Sequence, residues 1–245
     1  MISILLNAIK IAFLLGFLIF IHESGHFLTA KFFKVKVKEF SIGFGPTILQ
    51  KQGKETKYQL RLIPLGGFVN LLGEDEESEE EGSFSKASRW KKILILLAGG
   101  SVNIVFGLLV YFLLISINTN ISYALRDTIN FTSSIIQNVK ELFVGNVGVE
   151  QLTGPVGISE VVVQTKNVQQ FIYILAVISL SLGVTNLLPF PPLDGGKILL
   201  LLIEAAIRKP IKENISNAIQ MTGFFIIMTL AVVVTYNDVI RIFWI

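Results

Sequence analysis

Cysteine is absent from this chain of 245 residues, and with it go disulfide staples, thiolate metal sites and thiol redox chemistry. Histidine is scarce, with two in all, and so is charge: Asp, Glu, Lys and Arg make up 16% of the residues, where a soluble domain carries about 25%. Apolar residues account for 52%, and the mean hydropathy is +0.66. That combination excludes a free cytosolic enzyme, a disordered segment and a stapled secreted module. It describes a protein of the lipid bilayer.

Four apolar stretches, at about 2–30, 93–117, 171–188 and 221–236, come near the ~20 residues that a helix needs to cross ~30 Å of hydrocarbon. The fold expected is mainly α, a polytopic membrane protein with four transmembrane helices. Twelve of the 21 Lys and Arg fall between Lys31 and Lys92, which places that loop on the cytoplasmic side. The 118–170 loop and both termini then lie outside, and the 189–220 loop inside. The net charge of +3 thus follows topology and implies no nucleic-acid partner. Lys10 in the middle of the first stretch argues for a retained helix over a cleaved signal.

The loops have their own organisation. Residues 39–73 are glycine-punctuated, with GFGP at Gly43 to Pro46, a polar turn at Lys51 to Lys57, alternation through Tyr58, Leu60 and Leu62, and PLGGF from Pro64 to Phe68. This pattern predicts one or two β-hairpins, a membrane-associated sheet between the first two spans. The acidic run Glu74 to Glu81 reads as a solvated, mobile connector over 74–82. In the outer loop, Leu125, Ile129, Ile136, Val139 and Phe143 recur at helical spacing, which predicts an amphipathic helix over 124–143. There is no internal repeat, P-loop or dinucleotide fingerprint.

The chemistry concentrates in HESGH, residues 22–26. On a helix His22 and His26 stand ~40° apart around the axis, so both imidazoles leave one face and can share one metal ion. Glu23 is offset beside them, placed to work on water rather than to ligate. Three ionisable groups in five residues at the end of an apolar span are costly unless paired or ligated, which marks a functional site.

Zinc bound for catalysis needs a third protein ligand and an open fourth position. Without Cys or another His, that ligand is a carboxylate. Asp194 follows the third span in NLLPFPPLDGG, Asn186 to Gly196, where three prolines in four residues stop the helix and two glycines let the backbone turn. A broken helix at membrane depth is tolerated only against protein or a wet cavity, so Asp194 is expected level with HESGH. The alternative is an Asp capping a helix that begins near Lys197.

HESGH, the AGG-x-x-N element from Ala98 to Asn103, NLLPFPPLDGG, PLGGF and GPVGI at Gly154 to Ile158 together resemble the bacterial, PDZ-bearing branch of the site-2 protease family of intramembrane zinc metalloproteases. The resemblance covers nearly the whole chain. It implies Zn2+ held by His22, His26 and Asp194, Glu23 as general base, and a 39–73 sheet that dips into the bilayer. It also implies Asn186 near the substrate backbone, with Gly66 and Gly67 as further substrate-binding positions. The partners it implies are single transmembrane segments of the anti-sigma-factor or remnant-signal-peptide type, cut in the bacterial inner membrane near its cytoplasmic side. The chain departs from the family in having AGG where AGP is usual and in lacking room for a PDZ domain in 118–170.

A helical substrate shields its peptide bonds and has to unwind before attack. An edge strand of the 39–73 sheet, with Tyr58 to Leu62 as the segment to perturb, would hold it by β-augmentation. The competing class is a non-catalytic metal-binding scaffold or transporter. Glu23 discriminates, because hydrolysis requires a proton acceptor beside the metal and transport does not.

Overall fold

In hydrocarbon a backbone has no partner but itself, so each long apolar run closes into a helix. The computed structural model describes residues 2–74, 78–146, 148 and 152–244. In chain order its elements are α1 (Ile2–Phe32), β1 (Val37–Gln52), β2 (Lys57–Leu71), α2 (Arg89–Asn118), α3 (Ile121–Val144), α4 (Pro155–Val163), α5 (Val168–Asn186), α6 (Asp194–Ile207) and α7 (Glu213–Trp244). Among the described residues, α1, α2, α5 and α7 are long and apolar enough to cross a membrane.

The bounds move from their sequence positions for local reasons. α5 begins where the Asn167 side chain accepts a hydrogen bond from the Gln170 backbone N–H at 2.9 Å. It ends at Asn186, two residues short of the apolar run, because Pro189, Pro191 and Pro192 supply no backbone donors to extend it. α7 runs well beyond 221–236 at both ends, since polar residues outside the hydrocarbon continue a helix already nucleated.

The 39–73 region forms β1 and β2, two long strands whose irregular register is antiparallel where 39–42 meets 67–70 and where 47–52 meets 57–61, while 39–42 and 57–60 run in the same direction. Phe40 pairs with Val69 on one side and Tyr58 on the other, Ser41 with Phe68 and Gln59, and Ile42 with Gly67 and Leu60. Tyr58 to Leu60 pair a second time, with Lys51, Gln50 and Leu49. Residues 39–42 and 57–60 are therefore interior, and the outer segments of the sheet are 47–52 and 67–71. The kink that permits this lies at Gly43, whose φ of +89° is a conformation that L side chains rarely adopt.

The part of Tyr58 to Leu62 from Tyr58 to Leu60 is thus not an edge. Both of its ladder faces are occupied, and a sequence pattern of alternation cannot tell which strand ends up outermost.

The connector residues 75–77 lie outside the described residues. Three of its described acids are paired: Glu79 with Lys86 at 2.8 Å, Glu80 with Lys36 at 3.4 Å and Glu74 with Lys197 at 2.6 Å. α3 is docked on α2, where Tyr111 stacks on Phe131 at 4.2 Å and donates its hydroxyl to Asp127 at 2.8 Å.

α2 is the central helix and packs against α1 and α5. One apolar cluster joins Ala30 of α1, Val37 of β1, Leu71 of β2, and Ile95 and Leu96 of α2, and it fixes the sheet against the ends of the first two spans. A second joins Leu14 and Leu18 of α1 with Val162 of α4 and Leu175 of α5. GPVGI forms the start of α4, with Pro155 at its first turn, and the Gly157 N–H donates to Asp238 of α7 at 2.8 Å. Asp238 is 1% exposed and also pairs with Arg241 at 3.0 Å.

Candidate metal centre

His22 and His26 are one helical turn apart on α1, so their rings meet at a centroid distance of 4.9 Å. Asp194 opens α6, directly after the proline-rich break that turns the chain back from the end of α5. The fold brings the three together. His22 Nε2 lies 3.3 Å from Asp194 Oδ2, His26 Nε2 lies 3.2 Å from the same oxygen, and the two Nε2 atoms are 3.3 Å apart.

That nearly equilateral triangle fits a zinc ion. Donor atoms ~2.0–2.1 Å from a tetrahedral ion stand ~3.3 Å from one another. The side chains are 12%, 10% and 15% exposed, so the cluster is withdrawn from water. Asp194 Oδ2 is buried and accepts no hydrogen bond, which is what a carboxylate oxygen reserved for a cation looks like. Three protein ligands would leave one tetrahedral position open, the pattern of catalytic rather than structural zinc.

Two features of α2 prepare His26. Its Nδ1 donates to the carbonyl oxygen of Ile95 at 2.8 Å, which leaves the Nε2 lone pair facing the cluster. The ring occupies space over Gly99, where a methyl group would overlap Nε2. Gly25 makes the matching approach, since a methyl there would run into the Ala98 carbonyl. Gly99 and Gly25 thus let α1 and α2 come close enough to seat the His26 ring against α2. Gly100, where the resemblance leads one to expect proline, faces Leu187 and the Gly183 carbonyl instead.

A cavity of about 200 Å³ opens beside the triangle, lined by His22, Glu23, His26, Asp194, Glu74 and Lys197, with Gly67, Phe68, Val69 and Leu71 of β2 and Ile95 and Leu96 of α2. Glu23 is 9% exposed and shares this cavity with both histidines. Gly67 lets the sheet press on α1: a methyl there would come within 2.8 Å of Ile19 Cγ2 and the Ser41 carbonyl, and 3.1 Å of Glu23 Cγ.

Two of the expected substrate positions do not line the cavity. Gly66, at φ +123°, is packed over the Phe44 ring, and Asn186 sits half-buried at the end of α5. Sequence reasoning overlooked Glu74 and Lys197. Glu74 reads as the first residue of a solvated acidic run, yet its side chain is 16% exposed and paired across the cavity. The available signal was Lys197 standing three residues after Asp194 on one helix, hence on one face.

The sequence profile of "Peptidase family M50" matches residues 10–230. A Fusobacterium nucleatum protein named "Putative zinc metalloprotease FN1322" is 26% identical over 334 aligned positions, which cover 94% of this chain and 97% of that protein. With 245 residues here, at least 89 of those positions face no residue of this chain. "Zinc metalloprotease RasP" of Oceanobacillus iheyensis is 41% identical over 49% of this chain and 29% of its own length. RasP of Shouchella clausii is 36% identical over 51% of this chain and 30% of its own length. Because the family profile spans most of the sequence, including both HESGH and the LDGG turn, this chain belongs to Peptidase family M50 and is a multi-pass membrane zinc metalloprotease.

Proposed function

We propose that this metalloprotease cuts single transmembrane segments of other membrane proteins, of the anti-sigma-factor or remnant-signal-peptide type, with its site near the cytoplasmic face and both termini outside. The observation that carries the reading is the triangle His22, His26 and Asp194 with Glu23 in the same cavity, where His22, Glu23 and His26 stand on a helix long and apolar enough to cross a membrane. Membership of the family sets aside the scaffold or transporter.

His22, His26 and Asp194 would hold the zinc. When bound, it would supply Lewis acidity, lowering the pKa of water to ~7 and polarising the scissile carbonyl. Glu23 takes the proton of the attacking water and delivers it to the leaving nitrogen. Ile95 holds the His26 ring through its carbonyl oxygen, which keeps Nε2 free to ligate. The apolar walls at Val69, Leu71 and Leu96 limit the water that reaches the site.

A substrate helix has to unwind to expose a peptide bond, and its freed N–H and C=O groups need partners in a region poor in water. Segment 67–71 is an outer segment of the sheet, and four of its residues line the cavity, so we assign β-augmentation to this segment rather than to Tyr58 to Leu62. Gly67 then lies along the substrate backbone, while Gly66 supports the turn and Asn186 contacts substrate only beyond the cavity wall. Helix-breaking residues in a substrate favour cleavage on this account.

The test is incubation of purified, zinc-loaded protein with single-span peptides in lipid, read by mass spectrometry against Glu23→Gln. Cuts inside the apolar segment by the wild type, and their loss in a variant that still binds one zinc per chain, are the expected result. Cleavage by Glu23→Gln at the wild-type rate, or cuts only in the peptides' polar flanks, would overturn the reading.

A further inference from the structure

The cavity holds one carboxylate with no role in the proposed chemistry. Asp194 completes the triangle and Glu23 handles protons, but Glu74, at the end of the sheet, lines the same space of about 200 Å³. A fourth protein ligand would convert an open, catalytic zinc site into a closed, structural one. Glu74 is of the right chemical type to be that ligand. Its side chain is 16% exposed, and a carboxylate so far out of water needs a cation beside it.

Two cations are within the cavity's reach, the metal and Lys197. In the structure Glu74 is taken by Lys197, with Nζ 2.6 Å from Oε1. Lys197 lies one turn past Asp194 on α6, so the helix that supplies the third ligand also supplies the ammonium that occupies Glu74. A histidine or glutamine at 197 would give a weaker or uncharged partner. A lysine neutralises the second carboxylate, and with a divalent ion, Asp194, Glu23, Glu74 and Lys197 the cavity sums to no net charge.

We propose that Lys197 is a positioning residue that holds Glu74 away from the zinc and so keeps the fourth coordination position open for water and substrate. The inference rests on the zinc site and protease reading given above. It assigns to the ion pair a task distinct from tying the connector to α6, since a simple tie would be lost equally from either end. Removal of Lys197 leaves an unpaired, largely buried acid in the cavity that the metal triangle lines, and the acid then turns to the metal. Removal of both partners takes the competing ligand away.

The experiment loads the full chain with cobalt as a visible-absorbing substitute for zinc and titrates acetohydroxamate, a small chelator that needs the open position. Cleavage of a single-span peptide by the zinc-loaded chains is measured in parallel. Lys197→Met is expected to bind one ion per chain, to lose hydroxamate affinity by about tenfold or more, and to lose turnover with it. Lys197→Met combined with Glu74→Gln is expected to recover both. A Lys197→Met chain that titrates and cleaves like the wild type overturns this inference alone, as does a double variant no better than the single one. A wild-type chain that takes up no metal overturns both this inference and the reading beneath it.

Discussion

The carbonyl oxygen of Ile95, on the second span, accepts a hydrogen bond from Nδ1 of His26, on the first, at 2.8 Å. That one contact sets the ring's tautomer and its rotation, and it exists because α1 and α2 meet through glycines. The metal centre is therefore as sensitive to helix spacing as to the ligands themselves.

Gly99→Ala tests the spacing. A methyl at Gly99 overlaps His26 Nε2, so either the ring rotates away from the triangle or the helices part. Zinc affinity, measured by competition with a chromophoric chelator, is expected to fall by about 10- to 100-fold, as for loss of an outer-shell partner. Wild-type affinity would show that the His26 ring does not depend on the space over Gly99.

Asp194→Ala tests the third ligand. It removes the oxygen that lies 3.2 and 3.3 Å from the two imidazole nitrogens. Zinc binding should weaken by more than the about 10- to 100-fold expected of Gly99→Ala, and proteolysis should vanish with it. Metal analysis of the purified variant decides the matter: full zinc occupancy would remove Asp194 from the ligand set.

Gly67→Val addresses the sheet rather than the metal. The added side chain would push against Ile19, the Ser41 carbonyl and Glu23, shifting the 67–71 segment off α1. Turnover is expected to drop about a hundredfold, the usual effect of a 1 Å misplacement near reacting groups, with zinc content unchanged. Loss of zinc in step with turnover would instead mean that the sheet supports the ligands.

Asp238→Ala probes stability away from the site. The carboxylate is buried, accepts from the Gly157 N–H at 2.8 Å and pairs with Arg241 at 3.0 Å. Deleting it strands the donor at the start of α4, for a loss of about 1–3 kcal/mol. Thermal unfolding in detergent should shift down while zinc stoichiometry stays at one per chain. An unshifted transition would indicate that α7 is held by its other contacts.

Much of this architecture is legible from composition and short-range order. The four spans follow from runs of apolar residues, because a helix in lipid answers to nothing but length and hydropathy. The pairing of His22 and His26 follows from a four-residue interval on a helix, and the amphipathic α3 from its periodicity. Asp194 was within reach only because prolines and glycines announce a break in the chain at the end of a span.

What remained hidden depends on residues far apart in sequence. Nothing local distinguishes Glu74 from the acids that follow it, and only the packing of β2 and α6 around the centre pairs it with Lys197, 123 residues on. The order of segments in the sheet, which made 67–71 rather than 58–60 an outer segment, was set by the kink at Gly43 and the double pairing of Phe40. Hydropathy and helical periodicity act over a few residues, so the sequence by itself determined the spans and the pairing of His22 with His26. Tertiary packing alone decided the two distances from Asp194 to the imidazoles, the tautomer of His26 and the pairing of Glu74 with Lys197, because each of these requires two distant backbones to meet within hydrogen-bonding range.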